Sequence, residues 1–157
     1  MNEEQIKELT LTRTFDAPKE AIWKYWTTPK LIQMWWGPKG VSNPTCVWDV
    51  KVGGEIHIVM LAGKDLGPFA GQEWPMTGKF LEVAEPTKLI FTSQAIMYNK
   101  PILETRVSML LTEEDSKTVM TIYIVVTKTT PEAEGALAGM EAGWNQQLDK
   151  LVEMIGK

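Results

Sequence analysis

The sequence contains few of the residues that build metal and redox sites. Among its 157 residues there is one cysteine, Cys46, and one histidine, His57. A single cysteine excludes an internal disulfide and any paired-cysteine motif, and a zinc site needs more nitrogen and sulfur ligands than this chain offers. We therefore predict no metal and no cofactor, and we interpret Cys46 as a small buried hydrophobe.

The chain also lacks the short motifs that mark common catalytic sites. It has no GxSxG motif, phosphate-binding loop, dinucleotide fingerprint or Cys–His pair. His57 could act as a general base near Glu55, but the alternation of its strand predicts that it faces solvent. Asp65 and Glu73 flank a turn-rich connection over 62–73 and could supply a carboxylate, but no residue is predicted to be catalytic.

Long apolar runs and an excess of positive charge are missing as well. No run of about 18 or more apolar residues occurs, so no membrane span is predicted. The net charge of −4 disfavours nucleic acid and anionic membranes as partners. The N-terminal segment MNEEQIKELT is acidic and lacks the apolar core of a signal peptide. These features predict a cytoplasmic protein that folds as one domain over residues 1–157.

Tryptophan, in contrast, is abundant, with seven in the chain. Trp23, Trp26, Trp35 and Trp36 all fall within residues 13–38. A buried tryptophan needs space for its ring and a partner for its N–H group. So dense a cluster predicts either a packed core or the wall of a cavity. Trp36, which stands next to a Gly-Pro pair, is expected to be partly exposed at the rim.

Hydrophobic periodicity predicts an α+β fold with one antiparallel sheet, because the strands are gathered together rather than alternating with helices. Two short helices are predicted over 18–27 and 29–36, directly after the first strand. A long last helix opens at Thr130-Pro131-Glu132 and presents one apolar face as far as Ile155. The predicted strands cover residues 9–15, 45–52, 55–61, 74–83, 88–94, 102–112 and 118–128.

Three glycines recur at every fourth position of the last predicted helix: Gly135, Gly139 and Gly143. Each weakens a helix interior by about 0.5–1 kcal/mol relative to alanine. One interpretation is a loose half-helix that gates the entry of a ligand. The alternatives are close packing of the helix against the sheet, or a helix that begins later in the chain.

In this order of elements the chain resembles the helix-grip fold of the START/Bet v 1-like (SRPBCC) superfamily. Its motifs resemble the Hsp90-ATPase-activator-homologue (AHSA1-like) branch in particular. The matching stretches cover nearly the whole chain and come in the expected order. They are Arg13-Thr-Phe-Asp-Ala-Pro18, Trp35-Trp36-Gly37-Pro38, Val52-Gly-Gly54, Gly78-Lys-Phe80, Lys88-Leu-Ile-Phe-Thr92 and Gly143-Trp144 ahead of Leu148 and Leu151.

The resemblance implies a curled sheet of about 6–7 strands that wraps around a long C-terminal helix, often with a cavity between them. Members of the superfamily bind hydrophobic ligands, contact chaperones or catalyse reactions on polyketides. We therefore predict non-enzymatic binding of a small hydrophobic molecule. The alternatives are a co-chaperone-like interaction module, with a chaperone or a second copy of the chain as partner, and a polyketide-cyclase-like enzyme.

The positions predicted to face the interior are rich in tryptophan and methionine, which suit adaptable apolar binding. The same side chains could instead form a solid core, which every globular domain needs. The resemblance favours the cavity. Its predicted lining residues are Trp26, Trp35, Trp48, Ile58, Met60, Met76, Phe80, Phe91, Met109, Met140, Trp144 and Leu148.

Overall fold

A seven-stranded antiparallel sheet dominates the computed structural model, which describes residues 7–156. The strands are β1 (Glu8–Phe15), β2 (Val41–Trp48), β3 (Glu55–Ala62), β4 (Glu73–Ala84), β5 (Lys88–Met97), β6 (Lys100–Glu114) and β7 (Lys117–Thr129). Their order in the sheet is β1-β7-β6-β5-β4-β3-β2. Except for the first strand, which pairs with the last, each strand lies beside its neighbour in sequence, so the fold is built from consecutive hairpins.

The helices come in two groups. Helices α1 (Lys19–Thr27) and α2 (Pro29–Trp35) connect β1 to β2, and α3 (Glu134–Ala138) and α4 (Met140–Ile155) follow β7. The elements whose backbones lie closest to α4 are β1, α2 and α3. Sheet and helices together form the α+β helix-grip fold that the sequence predicts. Among the described residues, no helix combines the length and the apolar character needed to cross a membrane.

Strict alternation along the strands explains why one face of the sheet is buried. In β7 the side chains of Met120, Ile122, Ile124 and Val126 are buried, whereas those between them are half-buried. Successive side chains of a strand point to opposite faces, so these four project to one side. We call this buried side, which the helices cover, the concave face.

The hairpin of β5 and β6 is longer than the sequence pattern predicts. Strand β5 continues to Met97 and β6 begins at Lys100, because Tyr98 and Asn99 form a two-residue turn. Both residues have positive φ, at 54° and 65°, as such tight hairpin turns require. Asparagine often adopts positive φ, but tyrosine seldom does, so the sequence Tyr-Asn does not predict this turn. Strand β2 covers Val41–Trp48, so it begins and ends four residues earlier than the predicted strand over 45–52.

The last helix is not continuous, contrary to the prediction. A short 3₁₀ turn over Pro131–Ala133 leads into α3, which ends at Gly139, and α4 starts immediately afterwards. Gly139 has φ −95° and ψ 2°, which interrupts the regular helix. Strand β4 is irregular between Phe80 and Glu82, where its pairing with β5 shifts register.

Candidate functional site

A cluster of tilted and edge-on aromatic rings fills the centre of the concave face. Trp36 is its hub, with ring centroids 5.8 Å from Trp35, 5.3 Å from Trp48, 6.2 Å from Phe91 and 5.6 Å from Trp144. The prediction of a partly exposed Trp36 is therefore wrong: its side chain is 4% exposed. Gly37 and Pro38 turn the chain back over α4, which covers the ring.

Hydrogen bonds hold Trp26, Trp35 and Trp48 in place. The Trp48 Nε1–H donates to the Trp26 carbonyl at 2.7 Å, and the Trp35 Nε1–H donates to the Tyr25 carbonyl at 3.1 Å. Trp26 directs its own N–H towards the sulfur of Met120. Because a buried indole N–H without a partner costs free energy, these bonds favour one arrangement of the rings.

On three elements of the concave face, fully buried side chains are followed by half-buried ones, before Ala62 on β3 and Met140 on α4 are buried again. On β3, Ile56 and Ile58 are fully buried, and Met60 is half-buried. On β5 the inward side chains run from Leu89 and Phe91, which are fully buried, to half-buried Ser93 and Ala95. On α4 the change runs from buried Leu148 to half-buried Trp144. We call the residues Met60, Ser93, Ala95 and Trp144 the open end.

Strand pairing places Met60, Ser93 and Ala95 at one end of the sheet, and Trp144 is joined to this region through its contact with Trp36. Ala95 pairs with Met76, which in turn pairs with Ile58, two residues before Met60. Leu103 lies opposite Ala95 on β6. Thr130 follows β7 directly. It donates from both its backbone N–H and its hydroxyl to the Ile102 carbonyl, and this contact brings α3 towards the same end of the sheet.

The predicted lining residues divide between the sealed and the accessible part. Met60 and Trp144 keep accessible surface, whereas the Met140 side chain is 9% exposed. A side chain with no accessible surface lines no water-sized void, so it would reach a ligand only if the core opened. The residues that are buried to this extent or nearly so are Trp26, Trp35, Trp48, Ile58, Met76, Phe80, Phe91, Met109 and Leu148.

Sequence reasoning missed the small residues of this region. Ser93, Ala95 and Thr105 lie on the concave face, and Leu137 of α3 packs on the core from the helical side. The signal was present in the strand pattern, because inward positions after Phe91 change abruptly from large apolar to small side chains. Small inward residues leave room that large ones would fill.

The glycines of the last helices are not needed for close packing. A Cβ atom added at Gly135 or Gly143 would meet nothing within 4 Å, and at Gly139 the nearest neighbour is the Gly135 carbonyl oxygen at 3.6 Å. Close packing against the sheet is thus wrong as an explanation. Of the three interpretations, a helix that begins later describes α4, which starts at Met140.

The isolated titratable residues stay outside this region. His57 lies between the buried Ile56 and Ile58, so it faces away from the concave side as predicted. Asp65 and Glu73 are exposed. Half-burial raises the pKa of the Cys46 thiol, which keeps it protonated at neutral pH. Within residues 7–156 no cluster of three or more His, Cys, Asp or Glu residues could hold a metal ion.

Three side chains of α4 hold the turn that carries Trp36. Gln147 accepts a hydrogen bond from the Gly37 backbone N–H at 2.6 Å, and Gln146 accepts one from the Lys39 N–H at 2.9 Å. The Lys150 ammonium donates to the Trp36 and Pro38 carbonyls, both at 3.4 Å. Burial lowers the pKa of Lys150. These bonds tie α4, and with it Trp144, to the aromatic cluster.

We expect Gln147→Leu to lower the free energy of unfolding by about 1–3 kcal/mol, because it leaves the buried Gly37 N–H without an acceptor. Gln146→Leu is the matched control, since its bond to Lys39 is exposed and water can replace the acceptor. Urea unfolding of both variants measures the difference. Equal losses in the two variants would contradict the importance of the buried bond.

The fold and the concave face define a member of the START/Bet v 1-like superfamily of helix-grip proteins. More specifically, the family described as "Activator of Hsp90 ATPase homolog 1-like protein" matches residues 16–156. The chain therefore belongs to this family. No curated protein matches it.

Solved structures of bacterial proteins share the fold over almost the full chain. Protein NE0264 from Nitrosomonas europaea is 28% identical, with 95% of this chain and 94% of that chain covered and a TM-score of 0.74. The AHSA1 protein from Silicibacter pomeroyi is 23% identical, with 96% and 98% covered and a TM-score of 0.78. A protein from Arthrobacter aurescens is 21% identical, with 95% and 86% covered and a TM-score of 0.80.

Proposed function

We propose that the protein binds a small, flat, apolar molecule at the open end of the concave face. The observation that supports this proposal most strongly is the change in accessibility along β3, β5 and α4. On each element the side chains beside the aromatic cluster are sealed and the next inward ones are half-buried, and beyond them Ala62 on β3 and Met140 on α4 are buried again. A sheet face that only had to bury a core would gain stability by closing this end too.

The chemistry of the open end suits such a ligand. Trp144 offers a ring face and edge, and Met60 offers a polarisable thioether that adapts to irregular shapes. Ala95 is the smallest inward apolar side chain of β5, so it leaves room above the strand. A planar ring system in this space would extend the row of tilted and edge-on rings that already runs from Trp48 through Trp36 to Trp144.

Binding is favoured over acid–base catalysis by the nature of the buried polar groups. In the described part of the chain these are Asn43, Thr105, Thr118 and Gln147. None of them titrates near neutral pH, whereas general acid–base catalysis requires a group whose pKa lies close to the working pH. Asn43, Thr118 and Gln147 are hydrogen-bonded within the fold, which leaves the Thr105 hydroxyl as the buried polar group that can orient a ligand.

Titration with the fluorescent probe 1-aminoanthracene tests the proposal. We expect saturable enhancement of probe fluorescence with the unmodified protein and a loss of affinity of about tenfold or more with Ala95→Phe, because the added ring occupies the space proposed for the probe. Ala142→Phe is the matched control, since Ala142 is exposed on α4. It should bind the probe as the unmodified protein does.

Two results would contradict this site. One is the absence of saturable binding to the unmodified protein, and the other is an equal loss of affinity in Ala95→Phe and Ala142→Phe. The thermal midpoint of each variant, measured alongside, shows whether the fold is retained. A variant that has lost its fold is replaced by Ala95→Leu, which fills less of the same space.

A chaperone contact is the second candidate function, because the family description names an activator of the Hsp90 ATPase. Addition of the protein to purified Hsp90 should then raise the ATPase rate. If Ala95→Phe raises it equally, the chaperone contact lies outside the open end. No change in rate at saturating concentration contradicts this candidate and leaves the ligand proposal standing.

A further inference from the structure

We propose that the ligand carries an oxygen or nitrogen at its rim, and that the hydroxyls of Ser93 and Thr105 recognise it. The class of ligand would be a ring compound with one phenol, alcohol or carbonyl group, rather than a pure hydrocarbon. This inference rests on the proposed function and assigns the polar contact within that same site.

The two hydroxyls lie side by side on the concave face. Ser93 of β5 pairs directly with Thr105 of β6. The preceding pair on the same face is Phe91 with Val107, which is fully buried, and the following pair is Ala95 with Leu103. Ser93 and Thr105 are therefore a polar pair between two apolar pairs on the same face. The pair on one side, Phe91 and Val107, is fully buried, and on the other side Ala95 is half-buried.

Neither the Ser93 nor the Thr105 hydroxyl has a side-chain hydrogen bond to the part of the chain that the structure describes, although other strand hydroxyls such as that of Thr118 are bonded. Thr105 is only 7% exposed. Still, its oxygen is not sealed, because the one fully enclosed polar side-chain atom without a partner in this part of the chain is Asn43 Oδ1.

A hydroxyl in this position has a defined chemical preference. It can donate one hydrogen bond and accept two, and in the free protein water can satisfy it. A ligand that enters the open end displaces that water. A hydrocarbon leaves both hydroxyls unpaired, and sites built around such groups reject ligands that cannot pair with them. A ligand with a phenol or a carbonyl restores the lost bond.

The apolar neighbours of Thr105 suggest that its hydroxyl serves binding rather than the core. Valine in place of Thr105 would be similar in shape and would match Val107, its neighbour on the same face of β6. A buried hydroxyl contributes nothing to the core without a partner. A ligand contact is a reason for threonine at this position.

Displacement of 1-aminoanthracene by two matched compounds, naphthalene and 1-naphthol, tests the inference. They share a ring system and differ by one hydroxyl. We expect 1-naphthol to bind the unmodified protein about five- to tenfold more tightly than naphthalene, as expected for one or two hydrogen bonds. In the double variant Ser93→Ala/Thr105→Val this preference should fall to less than twofold, with naphthalene bound as well as before or better.

The control is Ser108→Ala/Thr121→Val, which removes two strand hydroxyls from the opposite face of the sheet; both residues lie beside buried inward neighbours. It should keep the preference for 1-naphthol. If both compounds displace the probe equally from the unmodified protein, or if the preference survives in Ser93→Ala/Thr105→Val, the inference is wrong although the proposed function stands. If neither compound nor the probe binds, the proposed function itself has failed.

Discussion

Trp36→Ala should lower the free energy of unfolding by roughly 3–5 kcal/mol, the range observed when a large aromatic side chain is removed from a packed core. Trp36 is buried and touches the rings of Trp35, Trp48, Phe91 and Trp144. Its removal leaves a cavity that Trp35 and Trp48 cannot close without leaving their hydrogen-bonded positions. Urea unfolding followed by circular dichroism measures the loss.

Trp74→Ala is the matched control for this substitution. Trp74 is half-buried, its one described ring neighbour is the exposed Phe69, and its N–H bonds to the exposed Gln72 side chain. We expect it to cost no more than about 1–2 kcal/mol, because less apolar surface returns to water. A similar cost for the two variants would show that Trp36 is not the hub of the cluster.

Gly78→Ala and Gly143→Ala should change stability in opposite directions. A Cβ atom at Gly78 would overlap the backbone carbonyl of Thr92 on the neighbouring strand. Backbone atoms cannot move aside without breaking the β4–β5 pairing, so we expect a loss of roughly 2–3 kcal/mol. At Gly143 the added methyl meets nothing within 4 Å and the backbone is helical. We therefore expect a gain of about 0.5–1 kcal/mol.

The thermal midpoints of the two glycine variants, measured by the same scan, decide this prediction. The pair controls for the chemical change, since each variant adds one methyl group. Stabilisation by Gly78→Ala would mean that β4 and β5 are further apart than described. Destabilisation by Gly143→Ala would mean that a glycine is needed at this position of α4.

Much of the fold could be predicted from sequence because burial on one face leaves a periodic record. The alternation of Met120, Ile122, Ile124 and Val126 identifies β7 without any tertiary information. Apolar side chains that recur every three or four residues from Met140 to Leu151 identify α4 in the same way. Boundaries were less predictable, because they depend on turn conformation. Tyr98 adopts positive φ only because the pairing of β5 with β6 holds it there.

The candidate site was harder to predict than the fold for a related reason. A tryptophan that faces inwards has the same sequence signal whether it touches a ligand or another tryptophan. Trp35 and Trp144 are equal in the pattern, yet one is sealed and the other half-buried. Small residues such as Ser93 and Ala95 carry a weaker periodic signal than large apolar ones, although they leave the space.

The sequence by itself determined the class of fold, the identity of the concave face and the absence of the motifs for metal or nucleophilic catalysis. Local periodicity and composition carry this information, and neither depends on distant contacts. Only the tertiary structure decided which inward side chains seal one another and which stay accessible. That outcome depends on how α4 is tied to the turn after Trp36 and how the strands register, so it emerges from pairs of residues far apart in the chain.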